Sequence, residues 1–319
     1  MKHIAIDGML PRKTLRAAFG YALILTLTCL TAAKARAQTS KSAEVKAIHL
    51  GLVSEINKAA IEEHFRDFVR YVSRRIAPGS EADDKVIIAP TPFEMAKQLE
   101  QRRVDYYFES VYPSYTINYV HGAGKTLLRR WKGGAAEYQS LIFTKRDGGI
   151  TQLADLRGKT MIFEDPGSTS GYLMPKLFMS RNGYKLVEKK GYDPNAVPTD
   201  IQYSFAYLRS KLIEAVLTKQ VAAGAISDDD YAGLDDKRKS EMVILAQTEK
   251  LPRHLVSVRT DLAPQIVGKL NDLLVSMHDD AEGQRILKKT DQTTKFDPLP
   301  GGEAALKKRL LDSFYTPAR

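Results

Sequence analysis

Between Glu164 and Pro175 the chain reads EDPGSTSGYLMP, which sets Ser168, Thr169 and Ser170 in succession between Gly167 and Gly171. Three neighbouring hydroxyls flanked by glycines suit the gripping of an anion. Hydroxyl and backbone N–H donors replace the anion's hydration shell, and residues without a Cβ let the main chain approach it. An apolar run at residues 159–163 reads as a buried strand, and residues 176–181 read as a helix stopped by Asn182 and Gly183. A helix start at the hydroxyls would add unpaired N–H groups and a partial positive charge. Taken alone, the stretch also fits a plainer role in which Asp165 and Ser168 merely cap a helix. Pro175 leaves a further choice open, because a proline has no N–H for the carbonyl of Gly171. Either the helix begins at Ser168 and is kinked, or it begins at Pro175 and the hydroxyls sit in a preceding loop.

Other chemistries fit less well. Gly124-Lys125-Thr126 ends like a phosphate-binding loop, but Tyr119 stands where the first glycine is required. Residues 167–171 have the outline of a hydrolase elbow with Thr169 at its centre, yet the six histidines are scattered and none is placed to activate it. No histidine or carboxylate spacing suggests a metal, and no cofactor is expected. The tyrosines at 106, 107, 112, 115 and 119 read mostly as core, with one or two walling a cleft.

The start of the chain reads as an export signal. Arg12, Lys13 and Arg16 precede an apolar stretch from Ala17 to Ala33, and Ala35-Arg36-Ala37 offers a cut ahead of Gln38. The single cysteine, Cys29, would leave with residues 1–37, and Thr28 before it argues against a lipid anchor. The remainder would lack disulfides, thiolate metal sites and a cysteine nucleophile, and no later segment approaches membrane-spanning length. Half of the +10 net charge also lies in residues 1–37. The other basic residues are interleaved with acids, which describes a solvated surface that attracts anions and argues against a nucleic-acid tract.

The elements that must position the turn alternate between strand and helix. Strands are expected at residues 45–53, 86–89, 104–108, 138–144, 159–163, 199–203, 221–226 and 242–246, and residues 255–258 read as a return crossing into the first lobe. Helices are expected from the spacing of Ile61, Phe65, Phe68, Val69, Val72 and Ile76, and over residues 92–103 and 112–120. Two more follow from Leu208, Leu212, Ala215 and Val216, and from Val267, Leu270, Leu274 and Met277. Pro78-Gly79-Ser80 ends the first helix. This order gives an α/β fold in which each of two lobes is a mixed, mostly parallel sheet with helices on both faces. Residues 38–144 plus 255–319 form a discontinuous first lobe, and residues 145–254 form the second. Two crossings between lobes leave a cleft, and open α/β sheets bind ligands beyond the carboxyl ends of their strands. Ser54, Glu109, Ser110, the Ser168 turn and Ser227 all follow apolar strands, which makes them candidates for that cleft.

In this order the features resemble the periplasmic phosphonate-, phosphite- and phosphate-binding proteins of ABC importers. The resemblance is carried by DPGSTSGYLMP (Asp165 to Pro175), VDYYFES (Val104 to Ser110), GLVSE (Gly51 to Glu55) and KQVAAGAISD (Lys219 to Asp228), and it runs from about Ala47 to about Asp291. It implies the two-lobed type II periplasmic-binding-protein fold. Its function would be to capture a small phosphorus oxyanion, with no catalysis, as a monomer that docks on an ABC permease in the inner membrane. It places the ligand on Ser168, Thr169 and Ser170, with Ser54, Tyr107, Glu109 and Ser110 from the first lobe and Arg209 from a second-lobe helix. Two departures stand out: His254 lies in a segment where relatives of this kind can carry a carboxylate for an ammonium group, and Glu109 replaces an aromatic or small polar residue. Glu109 favours a monoprotonated oxyanion; alternatively Glu109, or Asp228 and Asp229, would hold a cationic group on a larger ligand. The alternatives from other classes are a receptor of the same fold feeding a membrane sensor kinase and an extracytoplasmic hydrolase.

Overall fold

The computed structural model describes residues 47–54, 58–77, 85–189 and 197–315. The export signal, the start of the first strand, Glu55 and the Pro78–Ser80 stop lie outside the described residues. The described chain builds two six-stranded sheets and a small two-stranded one between them in sequence.

The first sheet starts with three parallel strands, β1 (Leu50–Val53), β2 (Val86–Ala89) and β3 (Tyr106–Glu109), with β1 paired to both others. Helix α1 (Lys58–Ile76) joins β1 to β2, and α2 (Pro92–Glu100) joins β2 to β3. The helical spacing of Phe65, Phe68, Val69, Val72 and Ile76 puts all five on the buried face of α1. There Phe68, Phe108 and Phe296 pack ring against ring at 5.4 to 6.1 Å. Burial of each such ring contributes about 1.5–3 kcal/mol. Thr91 caps α2 by accepting the N–H of Glu94. Helix α3 (Val111–Tyr115) continues into a π-helical turn, Thr116–Val120, so the expected helix at 112–120 is one segment with two windings. Strand β4 (Gly124–Lys132) then runs to the short β5 (Glu137–Tyr138).

The expected strand at 138–144 divides at Gln139. Its N–H donates to Asp228 and its carbonyl accepts from the Asp228 N–H, so the chain leaves one sheet and enters the next there. The second sheet holds β6 (Ser140–Lys145), β7 (Thr160–Phe163), β8 (Leu186–Glu188), β9 (Ile201–Phe205), β10 (Ala223–Ser227) and β11 (Met242–Gln247), in the order β11-β6-β10-β7-β9-β8. Helices α4 (Met174–Arg181), α5 (Arg209–Leu217), α6 (Asp228–Ala232) and α7 (Asp236–Glu241) intervene. Leu212, Ala215 and Val216 of α5 are buried as expected, but Leu208 is the residue before the helix and is 43% exposed.

The chain returns through β12 (Leu251–Pro252), which pairs antiparallel with β5, and enters the first sheet as β13 (His254–Arg259) between β3 and β4. Helices α8 (Pro264–Ser276) and α9 (Ala281–Lys289), strand β14 (Thr293–Pro298) and α10 (Gly302–Tyr315) complete it. Strand β14 adds to the free edge of β4, giving the order β14-β4-β13-β3-β1-β2. We propose that these two sheets are the cores of the two lobes expected from the sequence.

Candidate functional site

The hydroxyl turn opens a helical segment. Ser168 has extended backbone, and its Oγ accepts the Gly171 N–H at 2.9 Å while donating to Glu164 Oε2 at 3.1 Å. Residues Thr169–Leu173 form a π-helical turn, with the Leu173 N–H on the Ser168 carbonyl and the Met174 N–H on the Thr169 carbonyl; α4 follows directly. The missing Pro175 N–H is thus accommodated without a loop. The Gly171 carbonyl instead accepts the N–H of Glu164 at 3.1 Å, across the turn. Of the two arrangements left open by the sequence, the helix begins just after Ser168, and its first turn is widened. Gly171 is required for this closure, since a Cβ there would lie 2.6 Å from the Glu164 Cβ and 2.8 Å from the Ser168 Oγ.

Thr169 is 2% exposed and joins the two sheets. Its Oγ1 donates to Ser110 Oγ at 2.9 Å and accepts the N–H of Tyr112 at 3.0 Å. Ser110 and Tyr112 lie just beyond the carboxyl end of β3, in the first sheet, so the turn meets that sheet hydroxyl to hydroxyl. The phenol of Tyr138, on the first crossing, lies beside Thr169 and Ser170. Arg253, beside the second crossing, stacks its guanidinium 4.4 Å from the Tyr138 ring centroid and pairs with Asp229. Two crossings, a turn and a strand end therefore converge on a few polar groups, most of them hydroxyls.

Glu109 ends β3 one residue before Ser110 and is half-buried. Its Oε2 accepts the Ser110 N–H at 2.9 Å, and the Val53 N–H faces the same carboxylate. Burial pushes its pKa up to about 7, outweighing the opposing pull of those N–H groups and of Arg130 and Lys132. The unfolded chain releases this proton near pH 4.5, so the folded state binds more protons than the unfolded one between 4.5 and 7. The stability this group lends is therefore complete below about pH 4.5, declines as pH rises through 7, and changes no further above. Relative to Glu109→Gln, the wild type should lose up to about 1.4 kcal/mol per pH unit within that window, measured by urea denaturation without ligand. A difference that does not vary with pH would contradict the assignment.

Behind Glu109 lies a basic group that the sequence did not single out. Arg130 and Lys132 from β4 share Asp291 at 3.0 and 2.9 Å. Arg130 Nη1 lies 3.4 Å from His254 Nδ1, and because a guanidinium can only donate, the His254 proton belongs on Nε2. Burial and the surrounding cations hold His254 well below its usual pKa, which keeps it neutral.

The other expected residues fall into two sets. Ser54 is half-buried at the carboxyl end of β1, next to Val53, whose N–H faces Glu109. Arg209 begins α5 and stands near the turn, held by Glu164 at 3.5 Å and Asp230 at 2.9 Å, with its side chain 48% exposed. Tyr107 is not brought to this surface. It lies two residues deeper in β3, is fully buried, and donates its hydroxyl to Asn118 Oδ1 at 2.6 Å; Asn118 in turn donates to Thr126 and Ser257. Among the described residues no cluster of three or more His, Cys, Asp or Glu side chains could hold a metal, and no helix is long and apolar enough to cross a membrane.

Residues 50–300 match the family model described as "ABC transporter, phosphonate, periplasmic substrate-binding protein". The phosphate-import protein PhnD of Mycolicibacterium smegmatis is 27% identical over 168 residues, which cover 50% of this chain and 51% of that relative. The chain thus spans about half the length of the curated relative it matches. Among solved structures, XAC2383 from Xanthomonas citri bound to chloride superposes with a TM-score of 0.76 at 25% identity, covering 84% of this chain and 97% of that one. PhnD1 from Prochlorococcus marinus in complex with methylphosphonate gives a TM-score of 0.61 at 14% identity, covering 84% and 99%.

Proposed function

We propose, since the chain belongs to the family of periplasmic substrate-binding proteins of phosphonate ABC transporters, that it captures a small phosphorus oxyanion between its lobes for a membrane permease. The observation that carries the reading is the hydroxyl bridge from Thr169 to Ser110, with the Tyr112 N–H on the same oxygen. These donors satisfy one another across the cleft, and an oxyanion seated there would take the same hydroxyls and N–H groups as its own shell. Ser168, Ser170 and Ser54 would add to that shell, and Arg209 would add charge from the rim. No bond is made or broken. Closing on the ligand would fix the two lobes in one relative position, which is a shape a permease can read. In this reading the protein works as a monomer in the periplasm after cleavage ahead of Gln38, without a cofactor.

A melting-temperature screen tests the ligand class. Phosphate, phosphite, methylphosphonate, 2-aminoethylphosphonate, sulfate, a carboxylate and ATP are compared; ATP is included because XAC2383, 26% identical, is also solved with ATP. At one hundred times its dissociation constant, a true ligand should add about 2.7 kcal/mol to the unfolding free energy. A melt raised by an unrelated solute and by no phosphorus oxyanion would overturn the reading.

A further inference from the structure

We infer that Glu109 determines specificity in the cleft by serving as the acceptor for a ligand P–OH, so that the protein takes phosphorus acids and turns away sulfate and sulfonates. The inference rests on the proposed seat of the oxyanion at Thr169 and Ser110. Glu109 and Ser110 are consecutive, and the Ser110 N–H that caps the Glu109 carboxylate belongs to the residue whose hydroxyl meets Thr169. A bound oxyanion would therefore have a carboxylate beside it.

The charges that might neutralise that carboxylate are already engaged. Among the described residues Glu109 forms no ion pair. Arg130, from β4, has its guanidinium on Asp291, Thr293 and the carbonyls of Thr290 and Asp291. Lys132, also from β4, binds Asp291. Arg253, adjoining β13, binds Asp229. Arg209, from α5, lies between Glu164 and Asp230. His254 at the start of β13 is neutral, and Tyr107 on the strand of Glu109 is pushed far above neutrality by burial, so neither supplies charge. Among the described residues no unengaged cation stands at this point, so an ionised Glu109 and a fully deprotonated oxyanion would repel each other.

One proton shared between carboxyl and ligand removes the conflict and converts repulsion into a short, charge-assisted hydrogen bond. Phosphate carries such a proton at neutral pH, and a phosphonate acquires one readily. Sulfate and sulfonates carry none, so they would have to use the proton of Glu109 itself. That proton is largely present at pH 6 and largely lost at pH 8, since the group titrates near 7. Discrimination against sulfur oxyanions is therefore strong at pH 8 and relaxed at pH 6.

Titration calorimetry of the purified protein tests this with two isosteric pairs, phosphate with sulfate and methylphosphonate with methanesulfonate, at pH 6 and pH 8. Wild type should favour the phosphorus member at pH 8, by about 10- to 100-fold for one charge-assisted bond, and the preference should shrink about tenfold at pH 6. Glu109→Gln, which offers an amide donor in the same shape, should lose the pH dependence and accept the sulfur member at both values. If a phosphorus member binds wild type with the same preference at both pH values, Glu109 does not select and the inference is overturned, whatever the variant does. If none of the four binds at either pH, the oxyanion reading itself is overturned, and this inference with it.

Discussion

Replacing Arg130 with alanine should lower the unfolding free energy of the ligand-free protein by about 3–5 kcal/mol. The side chain is 1% exposed in β4, inside the first sheet. Its Nε donates to Thr293 Oγ1 at 2.7 Å, and its Nη2 donates to Asp291 Oδ2 at 3.0 Å and to the carbonyls of Thr290 and Asp291. The guanidinium also lies 5.3 Å from the centroid of Phe108 and 5.6 Å from that of Phe65, within range of a cation–π attraction. Alanine would take one donor from each of four acceptors, of which Asp291 keeps Lys132 and the Thr290 carbonyl keeps Thr293, and would leave an empty volume against two rings. The acceptors belong to the link between α9 and β14, where Asp291 and Gln292 hold left-handed backbone at φ 46° and 55°. Such a conformation persists only while its surroundings enforce it, and Arg130 is a large part of them. Arg130→Lys, which keeps the charge without the planar fork, should recover only part of the loss. Urea denaturation midpoints measure both variants. A cost below about 1 kcal/mol for alanine would show that the network is not a stabilising element.

The second large effect concerns binding. Thr169→Val keeps the side-chain shape and removes the hydroxyl that donates to Ser110 and accepts from Tyr112. Loss of one hydrogen bond to a charged ligand should weaken oxyanion affinity about 10- to 100-fold. The unliganded protein should lose only about 1–2 kcal/mol, because the Tyr112 N–H is left without its acceptor. Thr169→Ser restores the hydroxyl and should bind within a few-fold of wild type. Calorimetric titration with whichever oxyanion raises the melt decides the matter. Unchanged affinity in Thr169→Val would return the turn to a purely structural cap.

Much of the second sheet was legible because its signals are local. Met161, Ile162 and Phe163 are apolar in a row within β7, which pairs on both edges, while three hydroxyls between glycines announce a turn that a side chain would obstruct, as Gly171 shows. The C-terminal part was less legible. Strand β14 reads Thr-Thr-Lys-Phe-Asp-Pro, with Phe296 its one large apolar residue, and it becomes a strand because β4 offers a free edge. The widened turn before α4 was legible only as a dilemma at Pro175. Its solution is the Glu164 N–H, seven residues back along the chain from the carbonyl it satisfies.

The sequence by itself determined the alternation of strands and helices, the place of the hydroxyl turn and the family. Each of these is written in neighbouring residues, through apolar period, turn chemistry and a short motif. Tertiary structure alone decided which polar groups share a site. Tyr138 and Arg253 stand more than one hundred residues apart, as do Arg130 and His254, and each pair meets because sheet pairing brings its strands together. It also separated Tyr107 from Glu109, which have similar local surroundings in sequence. Glu109 ends its strand beside the hydroxyl bridge, whereas Tyr107, two residues deeper, is sealed in the core. Depth along a strand depends on where the partner strands end, and that is fixed by chain segments far away in sequence.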